Sequence, residues 1–438
     1  MRDVAAVMWF RRDLRLADHP ALLDAVSAGG GRVVALFVLD PRLWDRAGDP
    51  RRAHLAASLR SLSESIGGNL VVRRGAPAEV VPALADEVGA TSVHITADHA
   101  PYGRDRDAEV EASLNCPLVA TGSPYAIAPG RILNQQNRPY QVFTPYFRSW
   151  LEHGWRQPVD PPAKVDWITA DSEDLPDSTA HGAGEQAALD HWRAYLDEVG
   201  RYDDERDRPD LDSTSRMSIP LKYGEIHPRT MLADLARKRS AGADAYRREL
   251  AWREFCADLL RRHPDASWKP LRPEFERMSY DEPGDAFEAW CAGRTGLPFV
   301  DAGMRQLAGS GFLHNRVRMV VASFLVKDLH VHWKFGARWF MRALRDGDLA
   351  SNSLNWQWVA GCGADAAPYF RIFNPVGQGL KFDPDGEYVR RWVPELRHLD
   401  GKAAHEPWKH GGADGYPAPI VDHAEARREA LRRYDAIR

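Results

Sequence analysis

The chain has 438 residues, enough for two or three domains, and 44% of them are hydrophobic, which suits a globular protein with a full core. Its formal net charge of −4 argues against strong, non-selective nucleic-acid binding but leaves room for a local basic groove. The four cysteines form no CxxC pair and no apolar run reaches membrane-spanning length. We therefore expect a cytoplasmic protein with no metal site, no disulfide framework and no membrane partner.

The N-terminal part of the chain alternates short apolar runs with amphipathic stretches. The runs are residues 4–10, 33–39, 69–73, 92–96 and 117–120, and stretches 54–66 and 77–88 have a helical pattern. This alternation predicts an α/β domain over residues 1–128, built on a doubly wound, Rossmann-like parallel sheet of five strands. Neither GxGxxG nor GxxxxGK follows the first strand, so no ordinary dinucleotide or P-loop site is predicted there.

A connector and a helical region follow. Residues 157–187 are rich in Pro, Asp, Ser, Gly and Ala, which is typical of a surface connector, and we place that connector at residues 129–190. Apolar faces with a period of 3.6 then predict an all-α domain over residues 191–438. The clearest such faces lie in residues 243–263, 299–312, 314–329 and 336–347.

The stretch between residues 333 and 358 combines four tryptophans with acidic and amide side chains. Asp348, Asn352 and Trp356 are spaced four apart and should line one helix face. Carboxylates and amides must find partners when they are buried, so this face favours a ligand site over plain core packing. The combination suits light, redox or base-stacking chemistry.

Two further segments carry candidate ligand groups. In DSTSRMS (212–218), four hydroxyl side chains flank Arg216 and could hold a diphosphate, although taken alone the cluster is more simply explained as a helix N-cap followed by a solvated arginine. In ELAWREF (249–255), Glu249 and Trp252 share a helix face. The acid could bond a flat polar ligand while the ring stacks on it, and the alternative is an amphipathic helix with an exposed acid.

In HNRVRM (314–319), Asn315 and Met319 are helix neighbours with Arg316 and Arg318 between them. Arginines here could hold phosphates, and methionine offers an adaptable apolar contact. The alternative is a surface helix with a methionine in the core.

Taken together, the motifs resemble the DNA photolyase/cryptochrome family, closest to its bacterial class I-like cyclobutane pyrimidine dimer branch. WFRRDLRLADHPAL (9–22), STSRMS, ELAWREF, RTGLPFVDAGMRQL, HNRVRM, DGDLASN and DAAPYFRIFNP (365–375) occur in the family's order over essentially the whole chain. The resemblance implies an α/β antenna domain and an all-α domain that binds FAD. It also implies light-driven electron transfer from reduced FAD to a pyrimidine dimer flipped out of UV-damaged DNA, by a monomeric carbon–carbon lyase.

The resemblance implies the residues that bind FAD. The positions matched around its phosphates are Tyr202, Thr214, Ser215, Arg216, Met217 and Ser218. Arg318 and Asp346 match a salt-bridged pair beside the isoalloxazine ring, and Asp348 matches a ring and ribose contact. Asn352 matches a catalytic residue facing flavin N5, where an amide stabilises the reduced, anionic ring.

The resemblance also implies the substrate contacts. Glu249 matches the catalytic acid that bonds the base edge of the dimer, and Trp252 and Trp358 match the indoles on either side of it. The positions matched to further dimer and phosphate contacts are Asn315, Arg316 and Met319. The (6-4)-specific branch usually has histidine where this chain has Asn315 and Met319, so cyclobutane dimers are the expected substrate.

Photoreduction and the antenna depart from the common pattern. Trp356 and Trp333 match the inner two tryptophans of the family's electron-transfer chain, but Tyr280 falls on the outer position. Near residue 100 the chain reads HAPYGRDRD, without the Asn-Glu pair typical of folate-binding members. An antenna of the 8-hydroxy-5-deazaflavin type, contacted by Arg51, is therefore favoured over methenyltetrahydrofolate. A flavin-like chromophore and an empty pocket stay open.

Two alternatives compete with dimer repair. One is a cryptochrome-type blue-light photoreceptor without repair activity, against which Glu249, Trp252, Met319, Asn352 and Trp358 all weigh. The other is a flavin- or nucleotide-binding α/β protein without photochemistry, which would leave the two dimer-facing indoles unexplained.

Overall fold

The computed structural model describes residues 5–364 and 370–438. The chain forms two compact units. The first comprises residues 1–200 and 215–264, and the second comprises residues 201–214 and 265–438. The domain boundaries expected at residues 128 and 190 stay a prediction.

The first unit contains a parallel sheet in the order β3-β2-β1-β4-β5. Its strands are β1 (Ala5–Phe10), β2 (Arg32–Leu39), β3 (Leu70–Arg74), β4 (Ala90–Ile95) and β5 (Leu118–Ala120). Every residue of β1 is buried, as expected for a central strand of a parallel sheet. The five predicted strands are thus confirmed. A short β6 (Asp166–Trp167), which the sequence did not predict, pairs with the start of β2.

Helices of the first unit connect and follow these strands. They are α1 (Pro20–Ala28), α2 (Pro41–Trp44), α3 (Asp49–Ser65), α4 (Pro77–Glu87), α5 (Pro101–Ser113), α6 (Phe143–His153), α7 (Glu185–Glu198), α9 (Ser218–Tyr223), α10 (Pro228–Leu235) and α11 (Ala241–Arg262). Several begin with proline, whose fixed φ suits the first turn of a helix. The side chain of Ser240 caps α11 by accepting a hydrogen bond from the Ala243 amide.

The described part of the second unit is helical, which confirms the predicted all-α fold class of the C-terminal part but not the predicted bounds of that domain. Its helices are α8 (Tyr202–Glu205), α12 (Asp285–Ala292), α13 (Pro298–Ser310), α14 (Asn315–Lys327), α15 (Trp333–Ala343), α16 (Leu349–Ala360), α17 (Pro375–Phe382), α18 (Glu387–Trp392), α19 (Gly401–His405) and α20 (His423–Asp435). Helix α16 packs against α14 and α15, and the three share one apolar core. This packing brings the tryptophan-rich stretch beside the HNRVRM motif.

Within residues 5–364 and 370–438, no helix combines the length and apolar character needed to cross a membrane. The same residues contain no group of three or more His, Cys, Asp or Glu side chains that could hold a metal ion.

Candidate functional site

In the first unit, the segment after Thr214 is fastened to helix α11. The hydroxyl groups of Ser215 and Tyr246 are hydrogen-bonded at 2.7 Å, and Ser215 Oγ also accepts from the Met217 amide at 3.3 Å. Arg216 has a φ of 52°, a left-handed conformation that non-glycine residues rarely adopt. Such strain is retained where the surrounding structure demands it, as at ligand sites. The hydroxyl-rich segment therefore has a fixed, curved backbone beside α11.

In the second unit, two neighbouring hydroxyls have no partner among the described residues. Ser213 Oγ and Thr214 Oγ1 are buried without a hydrogen bond in that part of the chain. A buried hydroxyl costs free energy until it is paired, and phosphate oxygens would accept from both. These orphaned groups fit the diphosphate of FAD. On nearby α8, the ring of Tyr202 lies 5.3 Å from the Arg206 guanidinium.

Helix α11 presents an acid and an aromatic ring together. Glu249 and Trp252 lie one turn apart, and both are half-buried. The indole of Trp252 stacks on Phe143 of α6, with ring centroids 3.7 Å apart and planes within 9°. Sequence reasoning missed Phe143, because the two rings are far apart along the chain. The stack gives the indole a rigid backing.

Helix α14 places the HNRVRM side chains in different surroundings. Asn315 is exposed and Met319 is half-buried. Arg316 makes two hydrogen bonds to the Asp207 carboxylate, at 3.2 and 2.7 Å, and lies 4.3 Å from the Phe382 ring centre. A phosphate that binds Arg316 must therefore compete with Asp207.

Arg318 and Asp346 form the ion pair that the family resemblance implies. Arg318 Nη2 lies 2.7 Å from Asp346 Oδ2, and Arg318 Nε donates to the Leu313 carbonyl. The Asp346 side chain is only 2% exposed, so the pair is shielded from solvent on that side. The structure thereby fixes one guanidinium and one carboxylate between α14 and the start of α16.

Two polar side chains of the α16 face have hydrogen-bond partners, one in the first turn of α16 itself and one on α15. Asp348 caps the helix, since its carboxylate accepts from the Ser351 amide at 3.0 Å. The buried amide of Asn352 donates from Nδ2 to the Ala337 carbonyl at 3.0 Å. The amide is therefore held in one orientation, as a residue facing a flavin ring would need.

Trp356 completes that face and lies directly against α15. A Cβ at Gly336 would overlap the Trp356 indole, so this close approach requires glycine. Trp356 Nε1 is buried without a hydrogen-bond partner among the described residues. Its ring also meets Phe340 and Trp290 edge-on, with centroids 5.0 and 6.2 Å away.

The imidazole of His332 contacts the rings of both Tyr280 and Trp333. Tyr280 and His332 have ring centroids 4.5 Å apart, and His332 and Trp333 have centroids 5.6 Å apart. Burial raises the pKa of Tyr280 above its ordinary value and lowers the pKa of His332 to about 4. The imidazole is therefore neutral near pH 7. Sequence reasoning missed His332 as the neighbour of both rings.

Trp358 is half-buried and has a cation near its ring. The Arg371 guanidinium lies 6.0 Å from the Trp358 ring centre, and the Arg371 carbonyl accepts from Lys327 Nζ. Arg371 belongs to the DAAPYFRIFNP motif, of which residues 365–369 lie outside the described residues. Arg371 was not among the site residues predicted from the sequence.

The expected antenna region contains two arginine environments. Arg51 is half-buried and burial lowers its pKa, while Nε has no hydrogen-bond partner among the described residues. At the carboxyl ends of β1 and β4, where the strand order reverses, the guanidinium groups of Arg11 and Arg106 lie 4.7 and 5.1 Å from the Trp9 ring centre. Such a reversal is the usual place for a ligand in an open parallel sheet.

Comparison with known proteins places these features in one family. Residues 6–164 match the family described as DNA photolyase, and residues 246–436 match the FAD binding domain of DNA photolyase. A deoxyribodipyrimidine photo-lyase of Streptomyces griseus is 41% identical, over 96% of this chain and 97% of its own.

Solved structures agree with the sequence comparison. A bacterial class III photolyase from Agrobacterium tumefaciens has a TM-score of 0.92 and 37% identity, covering all of this chain and 98% of its own. A cryptochrome from Synechocystis has a TM-score of 0.90 and 27% identity, covering 99% of this chain and 100% of its own. The predicted fold class and family are confirmed. The chain belongs to the DNA photolyase family, and its C-terminal part is a FAD-binding domain of that family.

Proposed function

We propose that the protein is a light-dependent deoxyribodipyrimidine photo-lyase that splits cyclobutane pyrimidine dimers in DNA. The observation that carries the proposal is the pairing of Glu249 with Trp252 on one face of α11, with the indole backed by Phe143. A flipped-out dimer needs an aromatic wall and a hydrogen-bonding acid at its edge, and α11 offers both. The Streptomyces griseus relative, which is similar over nearly its full length, is named for this activity.

FAD is the cofactor that the proposal requires. The residues expected to hold it are Tyr202, Thr214, Ser215, Arg216, Met217, Ser218, Arg318, Asp346, Asp348 and Asn352. Orphaned hydroxyls at Ser213 and Thr214 suit its phosphates, and the Arg318–Asp346 pair with the fixed Asn352 amide suits a polar ring edge. When bound, reduced FAD supplies an electron on absorbing blue light.

The chain's own residues bind and orient the dimer. Glu249 hydrogen-bonds the base edge and stabilises negative charge on the substrate, while Trp252 and Trp358 stack on its two sides. Asn315 and Met319 contact the dimer from α14. Arg316 is the expected phosphate contact, and it must exchange its bonds to Asp207 for bonds to DNA.

The antenna and the assembly are part of the same proposal. We take the antenna chromophore to be of the 8-hydroxy-5-deazaflavin type, bound near Arg51, and not methenyltetrahydrofolate. The half-buried Arg51 offers a cation whose Nε lacks a partner among the described residues. The protein is expected to act as a cytoplasmic monomer.

The alternative is a cryptochrome-type photoreceptor without repair activity, which the Synechocystis relative favours because it is similar over the whole chain. Parallel oligonucleotides, one with a single thymine cyclobutane dimer and one with a (6-4) photoproduct, distinguish the two. Under blue light with reductant, we expect the first to be restored and the second to remain. A protein that binds FAD and is photoreduced but repairs neither lesion would be the photoreceptor. Repair of the (6-4) photoproduct alone would overturn the substrate assignment.

A further inference from the structure

Residues 370–374, which we name the 370 segment, directly precede α17 in the second unit. The segment forms neither helix nor strand, so its position depends on contacts with neighbouring helices. Its second residue, Arg371, places a guanidinium 6.0 Å from the Trp358 ring centre. Trp358 is the indole proposed to stack on the dimer. The position of the 370 segment therefore affects the surroundings of that indole.

Two side chains of other helices contact the 370 segment on either side of its middle. The Phe370 ring stacks on Tyr434 of α20, with centroids 4.4 Å apart and planes within 7°. The Phe373 amide donates to Ser323 Oγ of α14 at 3.3 Å. These contacts fix the first and fourth residues of the segment, and the residue that faces Trp358 lies between them.

Lys327, the last residue of α14, contacts the part of the segment that faces Trp358. Its Nζ donates to the Arg371 carbonyl. The same ammonium lies 4.4 Å from the Phe370 ring centre, within the range of a cation–π interaction. Lys327 thus holds two consecutive residues of the 370 segment, one by its backbone and one by its ring.

The ammonium of Lys327 is costly where it lies. Lys327 is only 2% exposed, and among the described residues it forms no ion pair. Burial lowers its pKa to about 7, while Cys362 and Asp328 favour the charged form and Arg371 opposes it. The Asp328 carboxylate is itself bonded to His423 Nδ1 of α20 at 2.5 Å.

Core packing alone does not account for a lysine at this position. A methionine has a similar length and would fill the volume without a buried charge, whose desolvation costs free energy. What the ammonium adds is its hydrogen bond to the Arg371 carbonyl and its attraction to the Phe370 ring. Both contacts act on the 370 segment.

We propose that Lys327 is a positioning residue whose ammonium holds the 370 segment, so that Arg371 lies beside Trp358 and the indole presents a fixed surface to the dimer. The inference rests on the proposed function, since it concerns the stacking role of Trp358. Lys327 is buried and acts through the segment, without touching the dimer. A ring that is already ordered loses less freedom when it binds, so the effect is on affinity.

The charge of Lys327 gives this role a pH dependence. An ammonium donates a stronger hydrogen bond than a neutral amine does, and only the charged form is attracted to a ring face. The positioning is therefore strongest near pH 6 and weakens as pH rises through about 7.

Stability follows the opposite trend with pH. Between pH 7 and 10.5 the folded state has released the Lys327 proton and the unfolded state retains it. The contribution of Lys327 to the free energy of unfolding therefore rises with pH. A purely structural role would make dimer affinity follow stability, whereas a positioning role makes the two diverge.

The test is the dimer affinity of Lys327→Met between pH 6 and pH 9 at constant ionic strength. Fluorescence anisotropy measures binding to a labelled duplex with one thymine dimer and to the same duplex without it. Loss of a charged hydrogen bond should weaken dimer binding about tenfold at pH 6 and less than about threefold at pH 9. Affinity for the undamaged duplex should stay at the parent value, because no flipped dimer meets Trp358 there. Lys327→Arg, which stays charged, should retain much of the dimer affinity at both pH values.

A matched control changes an exposed lysine of the same unit. Lys402 pairs with Glu406 at 3.7 Å and its side chain is 68% exposed, so Lys402→Met alters the net charge equally. This control should retain the parent affinity and pH profile. An equal loss of affinity in Lys402→Met would show a net-charge effect and overturn the proposal.

Urea unfolding of the parent and Lys327→Met separates positioning from folding. From pH 6 to pH 9 the stability of the parent relative to the variant should rise, while its advantage in dimer affinity falls. If both rise together, the variant binds weakly because it is less well folded, and the proposal is wrong.

A double-mutant cycle shows whether Lys327 acts through the indole. In a Trp358→Ala background, Lys327→Met should cause no further loss of dimer affinity, because residues that act through one another are not additive. A full additional loss would place the effect of Lys327 elsewhere and overturn the proposal.

Failure of this inference is distinguishable from failure of the proposed function. A parent protein that repairs dimers, with unchanged dimer affinity in Lys327→Met at every pH, would overturn the role of Lys327 and leave repair intact. A parent that binds the dimer but repairs none in light, with the pH-dependent loss in Lys327→Met, would overturn repair and support the positioning role. A parent that binds both duplexes equally would overturn both, because Trp358 would then have no dimer to stack on.

Discussion

We propose that Glu249 acts on the reactive state of the substrate more than on substrate binding. Its carboxylate is half-buried beside Trp252, on a helix fixed to α6. Charge develops on the dimer only after it receives an electron, and a group that stabilises that charge affects the reaction more than the affinity. Glu249→Gln should therefore lower repair per bound dimer about tenfold, or ~1.4 kcal/mol, with less than threefold loss of affinity.

Single-turnover repair and equilibrium binding, measured on the same dimer oligonucleotide, check this assignment. Glu249→Asp, which keeps the charge, should recover part of the yield. If Glu249→Gln weakens binding and leaves repair per bound dimer normal, Glu249 is a binding residue only.

Substitution of Trp358 should have the opposite effect, lowering affinity for the dimer more than repair per bound dimer. Its ring is half-buried with Arg371 nearby, and its expected role is stacking on the flipped dimer. Stacking of an aromatic ring on a base stabilises binding by ~1–3 kcal/mol, so Trp358→Ala should weaken dimer affinity by about 5- to 150-fold. Binding titrations measure this loss, and Trp358→Phe should restore much of it. A normal affinity in Trp358→Ala would remove Trp358 from the dimer site.

The proposed photoreduction route, with Tyr280 at its outer position, leads to a third prediction. Trp356→Phe should block light-driven reduction of oxidised flavin while sparing repair by chemically reduced protein. The reason is that the proposed route that reduces the flavin passes through Trp356, whereas the proposed transfer from the reduced flavin to the dimer does not. Tyr280→Phe should be mild if Trp339 can donate instead, since oxidised tyrosine must lose a proton and its neighbour His332 is a weak base with a pKa of about 4. Transient absorption measures the radicals. A tyrosyl radical in the parent, lost together with most photoreduction in Tyr280→Phe, would make Tyr280 the obligatory terminus.

At the scale of elements, α11 depends on one buried acid. Both oxygens of Glu254 accept hydrogen bonds, from Trp150 Nε1 at 2.7 Å and from the amides of Ala126 and Ile127 at 2.5 and 3.1 Å. Burial nevertheless raises the pKa of Glu254 to about 7, because desolvation outweighs these donors. This carboxyl joins α11 to α6 and to the segment before it.

The raised pKa predicts the sign of a pH effect on stability. Between about pH 4.5 and 7 the folded state holds the Glu254 proton and the unfolded state does not, so this group's contribution to the free energy of unfolding falls as pH rises. Glu254→Gln removes that dependence and, with one acceptor oxygen fewer, should destabilise the protein by about 1–3 kcal/mol near pH 5.

Urea unfolding of parent and Glu254→Gln at pH 5 and pH 7.5 checks the pH effect. The difference between the two proteins should shrink by on the order of 1–3 kcal/mol toward the higher pH. A difference that stays constant between the two pH values would mean that Glu254 is ionised in the folded protein throughout this range and acts only as a hydrogen-bond acceptor.

Elements with strong local patterns could be predicted, and contacts between distant segments could not. The apolar runs predicted the ends of the five strands to within two residues. Short runs rich in β-branched residues that alternate with helical stretches are typical of buried strands in a parallel sheet. Strand β6 was missed, since two residues in a proline-rich segment carry no periodicity. The helix over 243–263 was predicted from its period and observed at Ala241–Arg262.

At the scale of the whole molecule, only some contacts of the candidate site could be predicted from the sequence. The Arg318–Asp346 pair was expected from the family resemblance and is present at 2.7 Å. The Trp252–Phe143 stack and the Arg316–Asp207 pair were not expected, because each joins residues more than 100 positions apart. No local pattern encodes such contacts.

Light-dependent repair is the central claim, and one measurement tests it most directly. A thymine-dimer oligonucleotide is incubated with chemically reduced, FAD-loaded protein, in blue light and in darkness, and intact thymines are counted by chromatography. The account predicts restoration in light in proportion to the dose, and none in darkness. Equal restoration in darkness, or none in light with FAD bound, would contradict it.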